Sequence, residues 1–149
     1  MDSVSHQLSV AFTDLRAEGA LEEQWQVLVR IQAVFSVHTR GVIILYDPYF
    51  NIVEFAVAVT KWLHDRTADF SFATIDSEDT DILFLRPESD RWRIGSSWGS
   101  VGGVLVDGLE LFDELNRFIY RLTLDCRQRL SIDIRSLLQP SPTKQSLDE

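Results

Sequence analysis

The chain has 149 residues, 45% hydrophobic and 25% charged, ordinary proportions for one globular domain able to bury a core, which excludes global disorder and fibrous repeats. Twenty-three acidic against fourteen basic side chains leave a net charge of −9, which repels phosphate backbones and anionic lipid and so disfavours direct nucleic-acid binding. Cys126 is the single cysteine, no charged-then-apolar leader follows Met1, and no apolar run approaches the roughly 20 residues of a membrane helix, so a cytoplasmic protein with no membrane association is expected.

Leu8, Val10 and Phe12 alternate with polar or small neighbours and predict a first strand, followed by a turn region at Glu18, Gly19 and Ala20. Trp25, Val27, Val29, Ile31, Ala33, Phe35 and Val37 then recur at period two, which predicts one long second strand with these side chains turned inward. Thr39, Arg40 and Gly41 form a turn, with Gly41 free to take a positive φ, and residues 42–46 make a third strand.

Asp47 and Pro48 read as a helix start, the carboxylate accepting first-turn amides and the proline lacking an amide to satisfy. Phe55, Ala56, Val59, Trp62 and Leu63 follow at helical spacing, with Glu54, Lys61 and Asp65 opposite. Val53 and Val57 widen the apolar side, so a helix of about four turns should be the most buried of the chain.

Three short strands are expected at residues 70–75, 81–86 and 91–98, with Pro87 ending the second, and residues 99–103 form a loop. Asp107 and Glu110 have capping-box spacing and open a last helix with the core stripe Leu111, Phe112, Leu115, Phe118, Ile119, Leu122 and Cys126. Ile132, Ile134, Leu137 and Leu138 add a short docking segment. The expected architecture is α+β: an antiparallel sheet of about six strands in the order β-β-β-α-β-β-β-α, with two main helices packed on it. One domain should cover residues 1–138 and a flexible tail residues 139–149.

Catalytic signatures are sparse. His6, His38 and His64 have no shared metal-ligand spacing, and Cys126 lies on an apolar helix stripe where burial raises a thiol pKa. The run Gly99, Ser100, Val101, Gly102, Gly103 lacks the Lys-Ser or Lys-Thr ending of a phosphate loop, and Ser96 and Ser97 have no assignable histidine. No catalytic residue, metal or cofactor is expected. Asp76, Glu78, Asp79 and Asp81 crowd one turn without the glycine and closing glutamate of a calcium loop; they suit a solvated turn or an acidic knob for a cationic partner. Trp98, beside Gly99, is a candidate aromatic anchor, while Trp25, Trp62 and Trp92 fit the inward pattern.

The segments Tyr46-Asp47-Pro48, Glu54-Phe55-Ala56, Lys61-Trp62-Leu63, Asp69-Phe70-Ser71-Phe72, Asp76-Ser77-Glu78 and Asp90-Arg91-Trp92-Arg93-Ile94-Gly95-Ser96-Ser97-Trp98 together resemble a family of small uncharacterised bacterial α+β proteins, over residues 8–130. More loosely, size, acidity and pattern resemble immunity proteins encoded beside polymorphic and contact-dependent growth-inhibition toxins. That likeness implies a non-catalytic cytosolic protein that binds and neutralises a cognate toxin with a basic surface, using Asp76, Glu78, Asp79 and Asp81 for charge and Trp98 as anchor. Two alternatives remain open. One is a small-molecule-binding or enzymatic domain, which requires a pocket with convergent polar groups. The other is a homodimeric module, with the apolar helix at residues 52–63 packing on its copy.

Overall fold

The structure is a computed structural model describing residues 7–65, 68–73, 81–98 and 103–139. Among the described residues, seven strands form two antiparallel sheets rather than the single sheet of about six strands expected from sequence. The first sheet has the order β1 (Leu8–Ala17), β2 (Ile31–Thr39), β3 (Val42–Asn51), and the second β4 (Phe70–Phe72), β5 (Leu83–Glu88), β6 (Arg91–Gly95), β7 (Val104–Asp107).

The long strand expected from Trp25 is split. Residues Gln24–Arg30 form a short helix, α1, and only then does β2 begin. The Gln26 side chain accepts hydrogen bonds from the amides of Glu22 (2.7 Å) and Glu23 (2.9 Å), which closes the helix entry. Val27 is buried while Trp25, expected inward, stands 52% exposed under the Arg30 guanidinium. Within β2 the alternation is as expected: Ile31, Ala33, Phe35 and Val37 are buried and Gln32, Val34, Ser36 and His38 face the other way.

Arg40 and Gly41 both take positive φ (54° and 82°), the condition for a two-residue hairpin turn matched to strand twist. Beyond it, Asp47 and Pro48 do not start a helix. They lie in β3, where Asp47 Oδ1 accepts the Tyr49 amide at 2.9 Å, and the helix α2 (Ile52–Leu63) begins after Asn51. The proline is tolerated because β3 is an edge strand carrying an irregularity at that point.

Helix α2 buries Ile52, Val53, Phe55, Ala56, Val59 and Trp62, so its apolar side is used within the chain. Phe55 is the hub. Its ring meets Phe35 at 5.2 Å and Phe50 at 5.4 Å from the first sheet, Phe72 at 5.1 Å from the second, and Phe118 at 5.6 Å. Edge-to-face and tilted contacts of this kind add to the area each ring removes from water. Trp62 extends the cluster to Trp92 at 5.1 Å and gives its indole N–H to the Ala68 carbonyl at 2.9 Å.

In the second sheet β5 runs through Pro87 to Glu88, because β4 pairs only with residues 83–85 and leaves the proline on an open edge. Strand β7 was not expected; it carries the chain from β6 into α3 (Gly108–Leu130). Asp107 caps α3, accepting the amides of Leu109 (3.1 Å) and Glu110 (3.4 Å). Ser131, at φ +56°, ends it, with the Ile132 amide donating to the Cys126 carbonyl at 3.1 Å. A single-turn helix, α4 (Arg135–Leu138), then docks against α2.

Glu110 does not complete the expected capping box. Its carboxylate accepts the amides of Gln7 and Leu8 on the free edge of β1. One turn on, buried Glu114 accepts the Val10 amide at 2.9 Å, and Arg121 donates to the Val10 carbonyl at 2.7 Å. Helix α3 therefore satisfies this sheet edge with side chains in place of another strand, one way to protect an edge from adventitious pairing.

Candidate functional site

The core lies on one side of the first sheet, where Ile31, Ala33, Phe35 and Val37 are buried, and the alternate residues of β2 on the other side are partly exposed. Residues paired directly across antiparallel strands share a face, so the register places Ser9, His38 and Ile43 in one row and Ala11, Ser36 and Tyr46 in the next. Thr13 and Val34 follow, and Arg16 and Gln32 beyond them. Small side chains in the middle leave this face flat. Along its β3 margin stand Ile43 (65% exposed), Tyr46 (58%) and Tyr49 (69%), three of the largest exposed apolar side chains of the molecule.

Bulges aim these side chains. Between the pairs Val37↔Leu45 and His38↔Ile43, β3 has one residue more than β2, which lets Ile44 and Leu45 both be buried while Ile43 and Tyr46 point outward. A second extra residue between the pairs Phe35↔Asp47 and Ala33↔Phe50 turns Tyr49 out. A matching irregularity between Thr13 and Arg16 in β1 has Asp14 at φ +57°, a conformation that aspartate tolerates better than most residues.

Arg16 spans the face from β1 to β3. Its guanidinium donates to the Pro48 carbonyl (2.9 Å) and the Asp14 carbonyl (3.0 Å), pairs with the Asp14 and Glu18 carboxylates (3.2 Å each), and lies 5.3 Å from the centre of the Tyr49 ring. So many partners fix both the arginine and the tyrosine, which lowers the entropy lost when a partner covers them. Asp14 and Glu18 make the local charge acidic around one neutralised arginine.

Of the site residues expected from sequence, Asp81 and Trp98 lie elsewhere. Asp76, Glu78 and Asp79 fall outside the described residues. Asp81 is partly buried at the second sheet, where it accepts the Ser71 hydroxyl and pairs with Arg86 at 3.3 Å, so its charge is locally matched. Its carbonyl accepts the Ser97 amide at 2.8 Å, which brings Asp81 next to Trp98, 43% exposed. Those two residues thus share one neighbourhood, beside the second sheet.

Among the described residues no group of three or more His, Cys, Asp or Glu is placed to hold a metal ion. Cys126 is fully buried, and desolvation, followed by the nearby Asp125 charge, pushes its thiol up to about 12, a protonated and unreactive form at neutral pH. No helix among the described residues is long and apolar enough to cross a membrane.

Sequence reasoning missed Arg16, Ile43, Tyr46 and Tyr49. Ile43 and Tyr46 were assigned to a strand with no face; only the bulges decide which way they point. A family model described as a domain of unknown function (DUF7878) matches residues 8–128, from the start of β1 to near the end of α3. No curated protein and no solved structure matches the chain.

Proposed function

The chain belongs to the DUF7878 family of domains of unknown function, and we propose that it acts as a non-catalytic binding protein that recognises a basic polypeptide through the outer face of the β1–β3 sheet. The observation that carries this reading is the row of exposed side chains Ile43, Tyr46 and Tyr49 beside an arginine held by several partners. Tyrosine and arginine are enriched among the residues that dominate binding energy, because they offer large contact area together with hydrogen bonding.

Charge supplies the partner's sign. The acidic margin at Asp14 and Glu18, within a chain of net charge −9, attracts a basic surface and speeds encounter with it. In its sharpest form the reading is an immunity protein of the bacterial cytoplasm that occludes a cognate toxin, with the acidic residues Asp76, Glu78, Asp79 and Asp81 adding to the steering field and Trp98 as an accessory contact.

Co-expression with the product of the adjacent gene tests it. The expected result is a stoichiometric complex and protection of cells from that product; absence of both removes the toxin-neutralising role. Replacing Tyr46 and Tyr49 together by alanine should weaken the complex about 100-fold or more, since anchor residues of this type each contribute about 2 kcal/mol or more.

A further inference from the structure

On the helical side, α3, α4 and the end of α2 border an open groove of about 700 Å³ whose lining includes His64, Ile119, Leu124, Arg127, Arg135 and Leu138. Its volume falls in the range of small-molecule sites. Its chemistry departs from that of the rest of the chain: on a protein with 23 acidic and 14 basic side chains, the lining holds two arginines and a histidine and, among the described residues, no carboxylate. The floor is apolar. Ile119 and Leu138 reach it from the edge of the core, and Leu124, which is not packed against the core, faces it from α3.

The cationic end is built. Asp133, just outside the lining, pairs with Arg135 at 2.7 Å and with Arg127 at 3.8 Å. Hydrogen bonds from Arg135, then the two guanidinium charges, hold the Asp133 carboxyl down to about 2, and the forked contact orients Arg135. Arg135 is largely satisfied by this fork, with Nε and Nη2 both directed at Asp133. Arg127 touches Asp133 only at long range and keeps a half-exposed guanidinium with donors to spare.

We propose that this groove binds a small carboxylate with an apolar body, the hydrocarbon lying on Ile119, Leu124 and Leu138 and the carboxylate meeting Arg127. Charge complementarity selects the anion, and the small lining selects its size: ten residues are well short of the roughly 20–30 that each partner contributes to a protein interface. The site is independent of the sheet face proposed to bind protein, so either can fail alone.

Octanoate, with 1-octanol as its neutral counterpart, is the probe, titrated into the full chain and followed by calorimetry and by amide chemical shifts. Octanoate should bind about tenfold more tightly than the alcohol, the usual benefit of one charge-assisted hydrogen bond, with shifts confined to Tyr120, Leu124, Arg127 and Leu138. Arg127→Gln should erase the preference for the acid, and Leu124→Asp should abolish binding of octanoate while leaving the melting temperature near that of the parent. Equal binding of acid and alcohol, no saturable response, shifts mapping to the β1–β3 face, or a response only to an acidic helical peptide would each overturn the proposal.

Discussion

Removing the Glu114 carboxylate tests how the β1 edge is held. Glu114 is 5% exposed and accepts the buried Val10 amide at 2.9 Å. Its ion pairs with Arg117 (3.6 Å) and Arg121 (3.7 Å) involve arginine side chains 47% and 40% exposed, so water screens them and they contribute little. The dominant loss in Glu114→Ala is therefore the amide left without an acceptor, which costs about 1–3 kcal/mol, with a smaller addition from lost packing. A total of about 2–3 kcal/mol corresponds to a fall in melting temperature of roughly 4–12 °C for a chain of this size. Glu114→Gln keeps an acceptor oxygen in place and should cost about 1 kcal/mol, the difference between charge-assisted and neutral hydrogen bonds. Urea denaturation gives the free energies, and hydrogen exchange at Val10 gives the local effect, which should be faster in the alanine variant. A loss below about 0.5 kcal/mol in Glu114→Ala, the range of ordinary surface substitutions, or equal losses in both variants, would refute the idea that α3 stands in for a neighbouring strand.

Three further outcomes follow from the geometry. A Cβ on Gly95 would sit 2.4 Å from the Phe84 ring, which is itself covered by Arg86 at 4.3 Å; Gly95→Ala should cost about 1–3 kcal/mol by overpacking, and Phe84→Leu in the same chain should recover part of it in thermal melts. Asp133 has its pKa depressed from 3.8 to about 2, so its contribution to stability is present above pH 3.8 and lost as pH falls through 2; a carboxyl NMR titration should show the low midpoint, and Arg135→Ala should return it toward the ordinary value. Cys126, raised to about 12 by burial, should react with iodoacetamide only as fast as the chain unfolds, and prompt labelling of the native protein would contradict its burial.

The parts of the fold legible in the sequence were those whose pattern is long and local. Helix α3 announced itself through the three-and-four spacing from Leu111 to Cys126 and the Asp107 cap. Helix α2 showed its buried stripe, although its start was placed too early because Asp47 and Pro48 suit a helix entry and a bulged edge strand equally well. The sequence around Val27 and Val29 alternates like a strand for too few residues to distinguish a two-turn helix from the strand that follows, and the Gln26 hydrogen bonds settle the choice. Strand β7, only Val104–Asp107, hides between a glycine-rich run and a strong cap.

The candidate site was less legible because its direction depends on register. A single extra residue in β3 decides whether Ile43 and Tyr46 face the core or the outside. Arg16 gains its role only from Pro48 and Tyr49, more than thirty positions away. The carboxylate of Glu110 likewise fits a capping box locally, yet the tertiary fold directs it to β1.

Recognition through the tyrosine face is measured most directly by calorimetric titration of the adjacent gene product into the parent chain and into the Tyr46→Ala, Tyr49→Ala double variant, with melting curves of both. The parent should bind at one-to-one stoichiometry and the variant about 100-fold or more weakly at an unchanged melting temperature. Equal affinity for the two chains would place the interface elsewhere and contradict the account.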